Sequence, residues 1–256
     1  MFFWTHEGRL RMTPQTEHMN QAGDVGAGWG GHGFAPPVSR VAAVMAARYH
    51  DEGWRRYEVA PDFTADGRPA DFLTVDRRTH ARFYGYGVDF LEPTHPHATL
   101  LISMHASGLY RGRYGVDGAR VTPVEELADH SQAFVTAEEA RQQRLREELG
   151  LTEAEVWHDY RLLQLWDRIS IVAVWGQDHA QLGPAPMEDG RLGDPITAMR
   201  VDPVTIRLDP YPFGEEEVHI PVRMFELPDR AYAGQDDWDA ELAATRATHL
   251  GVRLVG

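Results

Sequence analysis

The sequence predicts a mainly α fold: a multi-helix core with an N-terminal β-hairpin and a small β-rich subdomain at the C-terminal end. Three observations carry this expectation. Apolar residues recur at helical spacing through much of residues 14–175, and two Thr-x-x-Glu capping boxes stand ahead of such runs. After residue 195 the period changes to polar-apolar alternation with turn residues between the runs, which is the pattern of strands. The division expected is residues 1–180 as the helical domain and 181–256 as a β-rich extension packed on it.

The elements follow in order. "FFWT" and "RLRM" flank the turn "HEGR" and read as a hairpin over residues 2–13. Thr13 as N-cap and Pro14 at the first position open a helix that runs through His18 towards the glycines at 26–33. "GWGGHGFAPP" is a loop by composition. A second helix spans about Val38 to Asp51 and stops at Gly53, followed by a turn-rich connection over 61–72. Asp76 can cap a third helix, "RRTHARFYGYGVDFL", although each interior glycine costs about 1 kcal/mol of helix propensity. Pro93 and Pro96 break the chain before a fourth, "HATLLISMHASGLY". Residues 111–135 are polar and irregular. Thr136 with Glu139 then opens an exposed helix to Gly150, and Thr152 with Glu155 opens a long one to about Trp175. "GQDHAQLGPAPMEDGRLGDP" reads as a linker or surface loop, and residues 196–256 as mainly strand with a short helix near Asp237–Thr245.

Composition narrows the chemistry. A formal net charge of -14 speaks against a nucleic-acid partner, which needs a clustered basic surface. No apolar run approaches the roughly 20 residues of a membrane span, and the first residues lack a signal-peptide pattern, so the expectation is a cytoplasmic protein with a small-molecule substrate. The absence of cysteine removes thiol nucleophiles, Fe–S clusters and thiolate zinc sites. All 25 basic residues are arginine, which removes Schiff-base and Walker A lysines. His, Asp, Glu, Ser, Tyr and Arg remain.

Ligand-type residues fall on the core faces of different helices. Val156, Tyr160, Leu163, Asp167, Ser170 and Val174 form one apolar stripe whose single charge is Asp167. A lone buried carboxylate is costly unless paired, protonated or bound to metal, so Asp167 needs a partner, a metal or an arginine such as Arg48 or Arg141. His80 shares a stripe with Phe83, Tyr84 and Val88, His105 lies inward with Leu101, and His18 aligns with Ala22 and Val25. His97 is an alternative to His80. His50 and Asp51, in "RYHDEGW", follow an alanine face that lets another helix approach closely. The second His-Asp pair, "WHDY", acts as a control: His158 lies about half a turn from Asp167 in angle and should face solvent. Metal-ligand candidates are therefore His18, His50, Asp51, His80, His105 and Asp167.

The order His, His-Asp, His, His, Asp on successive helices resembles the HD-domain metalloprotein superfamily. "PQTEHMNQ", "RYHDEGW", "LLISMHASGLYRGRYG", "EEARQQRLR", "YRLLQLWDRIS" and "LDPYPF" are similar to a bacterial family known as domain of unknown function 3891. The resemblance implies an HD-like core in which His18, His50, Asp51 and Asp167 bind one ion and Asp51 bridges to a second held by His80 and His105. Imidazole and carboxylate ligands suit one or two divalent ions, Fe, Mn, Zn, Ni or Co. A metal-dependent hydrolase of a small anionic, phosphorylated molecule is the first reading implied. A di-iron oxygenase of a small polar substrate and a non-enzymatic binding protein are the alternatives. Asp51, Asp167 and Glu52 are the catalytic candidates. Arg111 and Arg113, with guanidinium forks suited to phosphate, and Tyr110 and Trp54 as pocket walls, are the substrate-binding candidates.

Overall fold

The computed structural model describes residues 1–6, 8–112 and 122–256. Strands β1 (Phe2–His6) and β2 (Arg9–Thr13) precede α1 (Gln15–Gly28), α2 (Arg40–Tyr49), the single turn α3 (Trp54–Tyr57), α4 (Arg77–Leu91), α5 (Pro96–Arg111), α6 (Asp129–Leu149) and α7 (Glu153–Val174). Then come β3 (His179–Pro186), β4 (Leu192–Asp202), β5 (Thr205–Asp209), β6 (Glu217–Pro228), α8 (Gln235–Ala244) and β7 (Thr248–Val255). Among the described residues no helix is long and apolar enough to cross a membrane.

Helix starts follow local chemistry. Asp76 accepts from the backbone N–H groups of Arg78 and Thr79 at the head of α4. Ser39 accepts from Ala42 N–H at the head of α2. Thr152 and Glu155 form both halves of a capping box ahead of α7, satisfying two amide donors that the first turn leaves unpaired. The box expected at Thr136 does not open a helix, because α6 begins at Asp129 and places Thr136 in its interior. Val135 packs with Ala81 and Tyr110 beside Phe134 and Leu127, and this tertiary burial extends the helix beyond what local capping signals.

The expectation of a mainly α protein with a small β subdomain is corrected by the sheet. Helices hold 47 % of the described residues, and beside them one seven-stranded mixed sheet curls into a half-barrel. Its order is β1-β2-β6-β7-β5-β4-β3, with β5 and β7 parallel. The N-terminal hairpin is not a separate ornament: β2 pairs with β6 from Arg9↔Pro228 to Met12↔Phe225, so the first strands complete the sheet made by the last ones. The segment expected as a loop after Gly176 supplies β3 at the sheet edge, with register shifts at Gln181/Gly183 and Pro184/Pro186. An edge strand tolerates proline and glycine because one side of its backbone needs no ladder partner.

One face of the sheet alternates into the core. Ile196, Ala198, Ile206, Leu208, Ile220, Val222, Val252 and Leu254 are buried and join Val25, Trp29, Trp166 and Ile169 of the helices in one cluster. Trp238 of α8 closes a second cluster with Leu10, Met12 and Leu227. On the helical side, α1 packs on α2 and α7, and α5 packs on α2 and α4. Ala43, Ala46 and Ala47 of α2 are fully buried, and their small side chains bring the helices close. Gly53 and Gly87 do the same between the turn after α2 and α4. A Cβ at Gly53 would lie 2.0 Å from Phe83 O, and one at Gly87 2.8 Å from Gly53 N. The interior glycine that weakens the α4 propensity is thus what lets α4 reach the turn carrying His50 and Asp51.

Candidate metal centre

Four helical elements bring five ligand-type side chains together. His18 comes from the middle of α1, His105 from α5 and Asp167 from α7. His50 caps the C-terminus of α2 in a helical conformation, φ -57° and ψ -27°, and the chain then turns through Asp51 to Gly53 into α3. All five side chains are at most 2 % exposed. His18, His50 and Asp51 form one group with ligand atoms within 4.8 Å of one another, and His50, His105 and Asp167 form another. This buried His/Asp group can hold a metal ion.

Hydrogen bonding fixes which ring nitrogens face the cluster. Ser170 gives its one hydroxyl proton to the carbonyl of Asp167 at 2.7 Å, so its oxygen accepts from His18 Nδ1 at 2.7 Å. His50 Nδ1 lies 2.8 Å from the carbonyl of Ala47, which can only accept. In the neutral rings both Nε2 atoms therefore carry lone pairs, and these atoms stand 3.1 Å apart. Asp167 Oδ1 is 2.7 Å from His18 Nε2 and 3.3 Å from His50 Nε2. Asp51 Oδ2 is 3.9 Å and 3.6 Å from the same two atoms. Ligands bonded at about 2.0–2.2 Å to one ion lie roughly 2.9–3.6 Å from each other; the spacings of 3.1, 3.3 and 3.6 Å fit a shared cation directly, and those of 2.7 and 3.9 Å lie just outside that range.

A second observation points the same way. Asp167 Oδ1 is buried and accepts no aligned hydrogen bond among the described residues, although His18 Nε2 is within 2.7 Å. The contact is short and the donor geometry poor, as when two lone pairs aim at a third centre. Without an ion a proton must take that place. Burial alone would lower the pKa of His50, but the carboxylates of Asp51 and Asp167 overcome it and raise it to about 9. Burial likewise works to raise both carboxylates, and the histidines beside them hold each well below the usual range.

Outer contacts brace the cluster. Gln15 Nε2 donates to Asp51 Oδ2 at 2.6 Å, and the Tyr84 hydroxyl donates to Asp51 Oδ1 at 2.5 Å. Trp54 Nε1 donates in turn to the Tyr84 hydroxyl at 3.3 Å. Such partners fix ligand orientation in metal sites. Gln15 was not a candidate from sequence, because amides are not typical ligands; its signal was its place three residues before His18, on the same helical face. Tyr84 was visible only as a member of the His80 stripe.

The remaining candidates lie elsewhere. His80 is buried, but its Nδ1 contacts the Tyr110 hydroxyl at 2.6 Å, and it belongs to neither ligand group. Its burial, with Arg77 nearby, pushes its pKa down to about 3, so it is a neutral ring. Trp54 is fully buried and braces Tyr84 rather than lining an open pocket. Both oxygens of Glu52 are taken by Arg55, at 2.7 and 3.1 Å. Arg111 pairs with Glu139 at 2.5 Å, while its buried Nε has no partner among the described residues. Arg113 falls outside the described residues. The arginines considered as partners of Asp167 are engaged otherwise: Arg48 with Asp24, and Arg141 with Asp89, Glu92 and Glu138. His158 bonds the carbonyl of Pro36, and its neighbour Asp159 accepts from Val38 and Ser39 N–H, so "WHDY" braces a loop. His97 lies 3.9 Å from Asp159, apart from the cluster.

The family model described as "Protein of unknown function (DUF3891)" matches residues 1–229. The chain belongs to that family. The matched span contains every residue of the cluster and its braces, so the DUF3891 region and the candidate centre coincide. No curated protein and no solved structure matches the chain.

Proposed function

We propose that this DUF3891 protein is a metal-dependent hydrolase of the HD type that acts on a small anionic, phosphorylated molecule at a single divalent ion. The convergence of His18 Nε2, His50 Nε2, Asp51 Oδ2 and Asp167 Oδ1 carries the reading. Two neutral imidazoles and two carboxylates bring a formal charge of about -2, which a divalent cation neutralises inside a buried site. Among Fe, Mn, Zn, Ni and Co this donor set makes no choice.

The ion, when bound, supplies Lewis acidity, easing deprotonation of water and drawing charge from a phosphoryl oxygen. The chain's own residues do the rest. Ser170 and the Ala47 carbonyl hold the two imidazoles with Nε2 inward. His105 is the cluster member set outside the four-atom convergence, 3.6 Å from Asp51 Oδ1 and 3.9 Å from Asp167 Oδ2, and in this reading it hydrogen-bonds a substrate oxygen. Arg111 lies six residues along α5, about 9 Å of helical rise, and its unpartnered Nε suits an anionic group. Glu52 takes no step in this reading, because Arg55 occupies its carboxylate.

A di-iron oxygenase would need a second ion held by His80, which belongs to neither group of closely spaced ligand atoms. The reading is tested by purifying the protein without chelators, measuring bound metal, and assaying a panel of phosphomonoesters. Expected are one ion per chain and turnover that chelation abolishes and that Asp167→Ala lowers more than about 100-fold. Two irons per chain with an oxygen-dependent optical change would overturn it. So would bound metal with no turnover on any phosphorylated substrate, which favours a binding protein.

A further inference from the structure

The surroundings of Asp51 bear on how many ions the centre accepts. We propose that Tyr84 fixes that number at one, by occupying the oxygen of Asp51 through which a second ion would be bridged. The inference rests on the metal-centre reading above.

The two oxygens of Asp51 face different neighbours. Oδ2 faces His18 and His50, at 3.9 and 3.6 Å from their Nε2 atoms. Oδ1 has His105 Nε2 at 3.6 Å and the Tyr84 hydroxyl at 2.5 Å. Each carboxylate oxygen has two lone-pair sites. At Oδ2 Gln15 takes one from 2.6 Å and leaves the other for the first ion. At Oδ1 the Tyr84 hydroxyl comes from the side of the second-ion ligands, its ring centroid 6.1 Å from that of His105 and 4.4 Å from that of His80, so it takes the site through which an ion bonded at about 2.0–2.2 Å would be bridged to them.

The hydroxyl is also fixed in orientation. The indole N–H of Trp54 can only donate, and it points at the Tyr84 oxygen from 3.3 Å. The phenol therefore accepts from Trp54 and sends its single proton to Asp51. Trp54 and Tyr84 are both buried, and the Tyr84 ring packs on His80 with centroids 4.4 Å apart. Imidazoles of the right kind are thus close by, in His105 and His80, while a neutral donor covers the carboxylate oxygen they would share with an ion. Tyr84 is a positioning residue that excludes the second ion and leaves the first undisturbed.

Equilibrium dialysis of the full chain against Mn(II), with metal counted by mass spectrometry and its environment read by electron paramagnetic resonance, tests this. Wild type should saturate at one Mn(II) with an uncoupled spectrum. Tyr84→Phe, which removes only the hydroxyl, should saturate at two with a spin-coupled spectrum, and Tyr84→Phe combined with His105→Ala should return to one. Two ions in wild type, one ion in Tyr84→Phe, or two in the double variant would each overturn the proposal. Where the variant fails to fold, the wild-type stoichiometry still decides, because two ions beside an intact Tyr84 contradict it. No Mn(II) bound to wild type would instead overturn the metal-centre reading itself.

Discussion

His50 carries most of the pH dependence expected of this protein. In the absence of an ion its pKa stands at about 9, above the ordinary 6.5, because two carboxylates outweigh the cost of burying its charge. A raised histidine contributes stability that is fully present below pH 6.5 and lost as pH rises through about 9. The depressed carboxylates Asp51 and Asp167 contribute stability above the ordinary carboxylate range and lose it as pH falls below that range. His80 has the opposite sign to His50, since its folded pKa of about 3 withdraws stability as pH drops below 6.5. An ion requires neutral His50, so binding between pH 7 and 8 should release about one proton, and apparent affinity should rise about tenfold per pH unit up to pH 9. Calorimetry in buffers of different ionisation enthalpy measures that proton, and a pH-independent affinity would contradict the assignment. Ser170→Ala removes the acceptor that holds His18 Nδ1 and should weaken metal binding about 10–100-fold, read by competition with a chromophoric chelator; unchanged affinity would show that Ser170 does not set the tautomer.

Element by element, what could be read from sequence was what local periodicity encodes. The inward positions of His18, His105 and Asp167 follow from stripes on α1, α5 and α7, because a helix repeats its faces every 3.6 residues. The Asp76 cap and the Thr152–Glu155 box marked their helices for the same local reason. The start of α6 was hidden, since burial of Val135 against Tyr110 is a tertiary effect. Strand β3 was hidden by its glycine and prolines, which an edge position tolerates. Glycines were the most ambiguous signal: in α4, Gly87 lowers propensity, yet its missing side chain admits the Gly53 backbone. Gly53→Ala should therefore disturb the seam between α4 and the His50–Asp51 turn. A Cβ 2.0 Å from Phe83 O cannot be accommodated without backbone movement, and a loss of about 2–3 kcal/mol is expected. Urea denaturation checks this, and a loss below about 0.5 kcal/mol would mean the seam is looser than described.

Across the molecule, sheet and helices form one apolar cluster, which is why a fold class read from local patterns missed the sheet as a whole. The pairing of Arg9 with Pro228 joins residues more than 200 positions apart, and no window of periodicity reports it. The candidate centre depends on the same long-range assembly, since α1 and α7 supply His18 and Asp167 from opposite ends of the helical region. Sequence could place each inward side chain but not the tautomers, braces and spacings that turn five residues into a site. The one measurement that addresses those spacings directly is an anomalous difference map from a crystal of the full chain grown with Mn(II) or Zn(II). A single peak is expected, within about 2.0–2.2 Å of His18 Nε2, His50 Nε2, Asp51 Oδ2 and Asp167 Oδ1. A map with no peak among those four atoms, and His18 and His50 joined by a direct N–H···N hydrogen bond instead, would contradict it.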